Sequence, residues 1–383
     1  MAFALYIHWP FCLAKCPYCD FNSHVREGID PGEWQQALLA DMAHEAALTG
    51  GRELSSIFFG GGTPSLMPPS LVATLIEAAS RHWRFAEGIE ITLEANPSSV
   101  ETANFASLAS AGINRVSLGL QALDDAALVF LGRLHNAAEG LAALDVAQRH
   151  FGRVSFDLIY ARPDHTPQLW EAELARALSF GTGHLSLYQL TIEPGTRFAT
   201  LVREGKFTPL DDDVAGDLFA LTRKLTNAAG LPAYEISNHA RPGEESRHNL
   251  VYWRYQDYAG IGPGAHGRRG GFATVRHRKP ENFLKAVSAQ HHGIAEIREL
   301  GRREQAAEAL LMGLRLAEGI APAALARRFG LAETDLIDPA KRAFYTAQGL
   351  LSARADRLIV TDAGMPLLDG LLGELVPAGL VTA

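Results

Sequence analysis

Tyr6-Ile-His-Trp-Pro-Phe-Cys-Leu-Ala-Lys-Cys-Pro-Tyr-Cys-Asp-Phe-Asn22 contains every cysteine of the chain, spaced Cys12-x-x-x-Cys16-x-x-Cys19. Iron–sulfur clusters are held by thiolates, usually four. Three closely spaced ones imply a four-iron cluster with one iron left open to a further ligand. The competing reading of the same residues is a structural zinc site completed by His8, Asp20 or His24. Zinc signatures usually pair two short Cys/His couples far apart, and no second cysteine couple exists downstream. Cysteines kept for metal rather than for disulfides fit a reducing compartment, so a cytoplasmic location is expected.

The stretch just before the cysteines, Ala2–Ile7, is apolar and β-rich, and further such runs follow at Ser56–Phe59, Glu90–Glu94, Arg115–Leu118, Val154–Ile159 and Leu185–Leu190, with Ala233–Ile236 read as one more. Helical periodicity fills the intervals. Asp30-Pro31 offers an N-cap followed by proline at the first helical position, and Trp34, Leu38 and Met42 share one face. Repeated βα units predict an α/β fold with a parallel sheet. About six units precede residue 240, too few for a complete eight-stranded barrel. The unusual polar residues follow the strands: the cysteines after the first, Gly60-Gly-Gly-Thr-Pro-Ser65 after the second, Glu94 at the end of the third, Gln121 after the fourth, Asp157 late in the fifth. Barrel enzymes gather their sites at those carboxyl ends. A partial (β/α)6 barrel over residues 1–240 is therefore expected.

Beyond it, 241–300 reads as a connecting segment carrying His248-Asn-Leu-Val-Tyr-Trp253 and the glycine-rich Gly260-Ile-Gly-Pro-Gly-Ala-His-Gly267. Residues 301–383 read as a small, mainly helical, winged-helix-like domain with one hairpin near Leu358-Ile-Val360. The chain of 383 residues is 47% hydrophobic and carries a formal net charge of −8, which suits a large globular core and argues against broad nucleic-acid binding. The N-terminal apolar run lacks a signal-peptide pattern, and no stretch approaches the ~18 apolar residues of a spanning helix.

Several of these residues carry chemistry. The glycine triplet lets backbone N–H groups approach a ligand, supplemented by Thr63, or simply makes a tight strand-to-helix turn. Glu94 suits an amino or sulfonium group, Gln121 and Asp157 suit ribose hydroxyls, and Arg133 suits a carboxylate.

Taken with Arg115-x-Ser-x-Gly-x-Gln121, Asp157-Leu-Ile-Tyr160 and Tyr234-Glu-Ile-Ser-Asn238, these motifs make the chain similar, over nearly its whole length, to the radical SAM proteins related to oxygen-independent coproporphyrinogen III dehydrogenase. That resemblance implies a [4Fe-4S] cluster on Cys12, Cys16 and Cys19. S-adenosylmethionine would sit on the open iron and be contacted by Tyr6, Gly61, Thr63, Glu94, Gln121, Arg133 and Asp157. The dehydrogenase branch carries a further cysteine where this chain has Phe21, and an N-terminal arm before the first strand. His248-Asn-Leu-Val-Tyr-Trp253 instead resembles a signature of the haem-chaperone branch. The resemblance therefore implies haem as cargo, contacted by His248, Tyr252 and Trp253, and haem-accepting partners such as membrane-associated respiratory proteins. The alternative function is oxidative decarboxylation of coproporphyrinogen. An imidazole flanked by flat aromatics is a reasonable haem site and equally a reasonable packed seam; His266 is a weaker ligand candidate.

Overall fold

The computed structural model describes residues 2–377 and Leu380. Its centre is a sheet of eleven strands: β1 (Phe3–Trp9), β2 (Glu53–Gly61), β3 (Arg84–Ala95), β4 (Arg115–Gln121), β5 (Arg153–Tyr160), β6 (His184–Gln189), β7 (Asn238–Ala240), β8 (Tyr258–Ile261), β9 (His266–Arg269), β10 (Phe272–Arg276) and β11 (Ile294–Glu299). The order across the sheet is β11-β10-β9-β8-β1-β2-β3-β4-β5-β6-β7. β1 to β6 run parallel in sequence order, the arrangement expected of a partial (β/α)6 barrel. Two free edges leave it open.

Helices α1 (Pro31–Thr49), α2 (Pro69–His82), α3 (Ala137–His150) and α4 (Pro167–Leu178) lie between successive parallel strands, α5 (Asp212–Ala228) follows β6, and together they cover the outer face. α1 starts as its sequence dictates: the Asp30 carboxylate accepts from the Gly32 N–H at 2.9 Å, and Pro31 occupies a position whose N–H would have no partner. Leu5, Ile7, Ile57, Phe59, Leu93, Val116, Leu118, Phe156 and Leu158 point outward from the sheet into one core with Trp34, Leu38, Met42, Leu75, Leu144 and Trp170. Strand alternation sends the intervening residues inward. That inner set is mostly polar: Ser56, Glu90, Thr92, Glu94, Arg115, Ser117, Ser155, Asp157, His184 and Ser186 stand there with Phe58 and Ile159.

The run Ala233–Ile236 is a turn. The Glu235 carboxylate collects the Ile236 N–H (2.8 Å), the Ser237 N–H (3.1 Å) and the Asn238 amide (2.6 Å), curling the chain so that the paired strand is β7, antiparallel to β6. The segment read as a connection, 241–300, supplies four strands. β8 pairs parallel with β1, and β9, β10 and β11 continue antiparallel beside it. It also supplies α6 (Arg247–Trp253) and α7 (Pro280–Gln290). Buried charges bind this extension to the barrel: Arg276 pairs with Asp41 and Glu45 of α1, and Arg269 pairs with Glu45.

The C-terminal module has its own core of Leu310, Leu314, Phe329, Leu336, Leu358 and Leu372. It is formed by α8 (Arg302–Gly313), α9 (Pro322–Phe329), α10 (Glu333–Leu336), α11 (Pro339–Ala347), the hairpin β12 (Leu351–Arg354) with β13 (Arg357–Val360), and α12 (Leu368–Leu375). Helices followed by a hairpin match the winged-helix-like expectation. No helix among the described residues is long and apolar enough to cross a membrane.

Candidate functional site at the carboxyl ends of the strands

β1 ends in Trp9, and the chain loops over the strand ends before α1, carrying the three cysteines above the sheet. Cys12, Cys16 and Cys19 are free thiols, half-buried, and line one cavity with Gly61, Gly62, Thr63, Glu94, Asn96, Ser117, Gln121, Arg133 and Asp157. Six of the seven residues expected to hold a nucleoside-type cofactor therefore stand together with the cysteines. The seventh, Tyr6, lies lower on β1, with its hydroxyl hydrogen-bonded to His8 Nδ1 at 2.9 Å. Among the described residues, no three or more His, Cys, Asp or Glu side chains converge so as to hold a single metal ion.

Each thiol has a polar neighbour. Thr63 Oγ1 donates to Cys12 Sγ at 3.4 Å, Arg133 Nη1 approaches Cys16 Sγ at 3.5 Å, and the Ser23 hydroxyl lies 3.8 Å from Cys19 Sγ. Burial pushes the Cys12 and Cys19 thiols up, so each holds its proton until a cation compensates the thiolate. Arg133 also donates to the Gly119 carbonyl at 2.9 Å and to Asn96 Oδ1, while its buried Nε has no partner. A buried guanidinium N–H without an acceptor is costly, and an anionic ligand group in the cavity would supply one.

Two carboxylates face the arginine across the cavity. The Gly61 N–H donates to Glu94 Oε2 at 3.2 Å. Burial, and after it the nearby Asp157, push the Glu94 carboxyl up to about 8. Burial also pushes Asp157 up to about 6, against the hydrogen bonds it accepts from Ser186 and Ser117. The cavity thus offers thiols at one end, a guanidinium beside them and two carboxyls on the floor, of which Glu94 is protonated at neutral pH. It suits a zwitterionic ligand carrying an additional positive centre near Glu94.

The Radical SAM superfamily profile matches residues 6–176, and the HemN C-terminal domain profile matches residues 300–367. The chain is 38% identical to the heme chaperone HemW of Escherichia coli, the match covering 96% of this chain and 97% of that protein. It is 39% identical to the mouse mitochondrial radical S-adenosyl methionine domain-containing protein 1, over 98% of this chain and 87% of that one. This chain belongs to the HemW family of radical SAM proteins. Among solved structures it is similar to HemN of Escherichia coli, the coproporphyrinogen III oxidase, with a TM-score of 0.82 over 97% of this chain and 89% of that one; at 21% identity the likeness shows the fold.

His248, Tyr252 and Trp253 lie on α6, away from the cavity, and α6 plugs the inner face of the sheet toward the amino ends of the strands. The His248 ring is 1% exposed and stacks on Phe58 with centroids 4.9 Å apart. Both ring nitrogens are engaged, Nδ1 with Ser56 Oγ at 3.0 Å and Nε2 with the Tyr252 hydroxyl at 2.7 Å, while the backbone N–H donates to Glu90. Burial, with the field of Arg115, holds the imidazole down to about 3, so it is neutral. Iron could bond this histidine only after one of those hydrogen bonds opens. His266 is exposed at the start of β9.

Sequence reading missed Asn96 and Tyr18. Asn96 donates to Thr63 Oγ1 at 3.0 Å and accepts from Arg133, joining the glycine loop to the arginine. Its signal in the sequence is its place at the strand end, two residues after Glu94. Tyr18, within the cysteine motif itself, lies 3.5 Å from Arg133 Nη1.

Proposed function

We propose that this chain is a haem-handling protein that carries a [4Fe-4S] cluster on Cys12, Cys16 and Cys19 together with S-adenosylmethionine, and passes haem to acceptor proteins in the cytoplasm. The observation that carries the cluster and cofactor reading is the single cavity in which three half-buried thiols face Arg133, Glu94, Gln121 and Asp157. The haem reading is supported by the full-length similarity to proteins named heme chaperones.

The residues fit the group. The unsatisfied Arg133 Nε waits for a carboxylate, Gly61 and Thr63 leave room for backbone contact, and the raised Glu94 acid can ionise toward a positive sulfur. A bound cluster supplies electron transfer to a ligand on its open iron. Thr63 and Arg133 steady two of the thiolates, Arg133 orients the ligand's carboxylate, and the Gly61 N–H fixes the Glu94 carboxyl facing the cavity. For haem, we propose His248 as the axial ligand after α6 shifts and Tyr252 releases Nε2, with Tyr252 and Trp253 against the porphyrin face. A single replaceable ligand suits a molecule that must release its cargo.

The test is anaerobic reconstitution with iron and sulfide, followed by haem titration and, separately, incubation with coproporphyrinogen, reductant and S-adenosylmethionine. Stoichiometric haem uptake without decarboxylation is expected; turnover to protoporphyrinogen defeats the reading. His248→Ala is expected to weaken haem binding or shift its Soret band while iron and sulfide content stay unchanged. An identical haem spectrum would assign His248 to sealing the sheet alone.

Glu94 gives a pH dependence with a defined sign. Its acid is raised in the folded protein, so it is largely protonated at pH 7 and ionises as pH rises toward 8. The sulfonium of S-adenosylmethionine is a permanent cation, whereas S-adenosylhomocysteine lacks that charge. The affinity advantage of the former over the latter should grow from pH 6 to 8 and level off above. Glu94→Gln should flatten the profile and remove roughly tenfold of the advantage, about the worth of one charged contact. Calorimetry with both ligands across that range checks it; a pH-independent advantage in the native chain would refute the pairing.

A further inference from the structure

The exit of the cysteine loop returns beside its entry, where Phe11 and Cys12 pair with His24 and Val25 and the His24 N–H donates to the Pro10 carbonyl at 2.7 Å, and one side chain ties it to the rest of the sheet. Asn22, three residues after Cys19, donates one amide hydrogen to the Pro263 carbonyl at 2.9 Å and the other to the Arg278 carbonyl at 3.0 Å. The backbone carbonyl of Asn22 accepts from His8 Nε2 at 2.9 Å, and His8 Nδ1 accepts from Tyr6. The partners are distant in sequence: β1 on one side, and the turns before β9 and after β10 on the other.

The glycines of the Gly260-Ile-Gly-Pro-Gly264 segment show how close this clamp is. Gly264, at φ +79°, would place a Cβ 2.4 Å from Asn22 Nδ2, and Gly262, at φ +91°, would place one 2.4 Å from the His8 carbonyl oxygen. Only glycine allows both the left-handed backbone and the approach. Gly262 is itself held by Asp41 Oδ2 at 3.1 Å, within the buried ion network of α1. No residue of 258–299 lines the cavity.

We propose that Asn22 is the positioning residue of the cysteine loop, anchored by the Pro263–Gly264 turn and the Arg278 carbonyl and tied to β1 through His8. The strands of 258–299 thereby set the pose of a metal site they do not touch. This rests on reading the cysteines as cluster ligands, and the physical step is short. Two hydrogen bonds to fixed carbonyls remove the freedom of the loop's last residues, so Cys19 keeps its place before any cluster arrives.

The test uses the full chain with Asn22→Ala, Gly264→Ala and the double variant. In the metal-free protein, hydrogen exchange of 12–25 should rise roughly tenfold in each, equivalent to about 1.4 kcal/mol of local opening, while the melting temperature of Asn22→Ala stays close to that of the native chain. After anaerobic reconstitution, the cluster's half-life in air should shorten and the electron paramagnetic resonance signal of the reduced cluster should change. The double variant should be no worse than the worse single one, because both break one clamp. Native exchange and native cluster lifetime in both single variants would overturn the proposal, as would fully additive effects. Should Asn22→Ala not fold, Asn22→Ser and Gly264→Ala carry the same readouts. A native chain that refuses iron and sulfide would sink the cluster reading alone, and the exchange measurement would still decide the clamp.

Discussion

Arg276→Ala is expected to destabilise the protein by about 3–5 kcal/mol, the usual cost of stripping one partner from a buried ion pair. Arg276 is 0% exposed; its Nε reaches Asp41 Oδ2 at 3.3 Å, its Nη2 reaches Glu45 Oε1 at 2.5 Å, and its Nη1 donates to Thr274 Oγ1 at 2.9 Å. Burial works against the guanidinium charge, and Asp41 and Glu45 more than offset it, so its proton is held more firmly than usual. Deleting it leaves two buried carboxylates facing only Arg269 and the N–H groups of Gly262 and Gly293. A loss of this size is a large share of the ~5–15 kcal/mol that a typical domain has. Urea denaturation at pH 7 checks it, and a loss under about 1 kcal/mol would refute the role assigned to the network.

The pH dependence has a sign that separates charge from packing. Burial raises the Glu45 carboxyl, but Arg276 and Arg269 prevail and leave it below the usual carboxylate range. A carboxyl depressed in the folded state adds stability above its unfolded value, near 4.5, and that contribution is lost as pH falls through the folded value. In Arg276→Ala the depression shrinks or reverses. The difference between native and variant stabilities should therefore be larger at pH 7 than in the acid range where Glu45 is protonated in both. Equal differences at both pH values would make the damage a packing cavity.

The same network explains what the sequence conceals. The six parallel strands were legible because Leu5, Ile57, Leu93, Val116, Phe156 and Leu185 sit in apolar, β-rich runs, and the boundaries differ most at the third strand, which begins at Arg84 and not at Glu90. β9 and β10 were illegible because they bury charges: Arg268, Arg269 and Arg276 read as surface until Asp41, Glu45 and the Tyr255 ring are known to lie opposite. β11, Ile294-Ala-Glu-Ile-Arg-Glu299, is an exposed edge strand with little apolar content and no core signal to betray it. In the candidate site, residues at strand ends announced themselves by type, whereas Asn22 and Asn96 act through backbone carbonyls and a hydroxyl that no spacing encodes.

Cys16→Ala is expected to abolish cluster binding, with iron falling from about four atoms per chain to below one after reconstitution, because two thiolates do not hold a four-iron cluster securely. The neighbourhood makes this a chemical loss and not a folding defect. Cys16 is half-buried, and its sulfur is approached by Arg133 Nη1 at 3.5 Å, part of a guanidinium that keeps Gly119, Asn96 and Tyr18 as partners after the sulfur is gone. Stability should therefore shift by no more than about 1 kcal/mol, the range of a substitution that leaves no cavity in a core and strands no charge. Cys12 and Cys19, whose protons burial holds, would remain thiols with no cluster to ionise them. Iron, sulfide and visible absorbance measured beside the melting temperature check both halves. Four irons retained in the variant, or a native chain that binds one zinc and no sulfide, would overturn the assignment of the three cysteines.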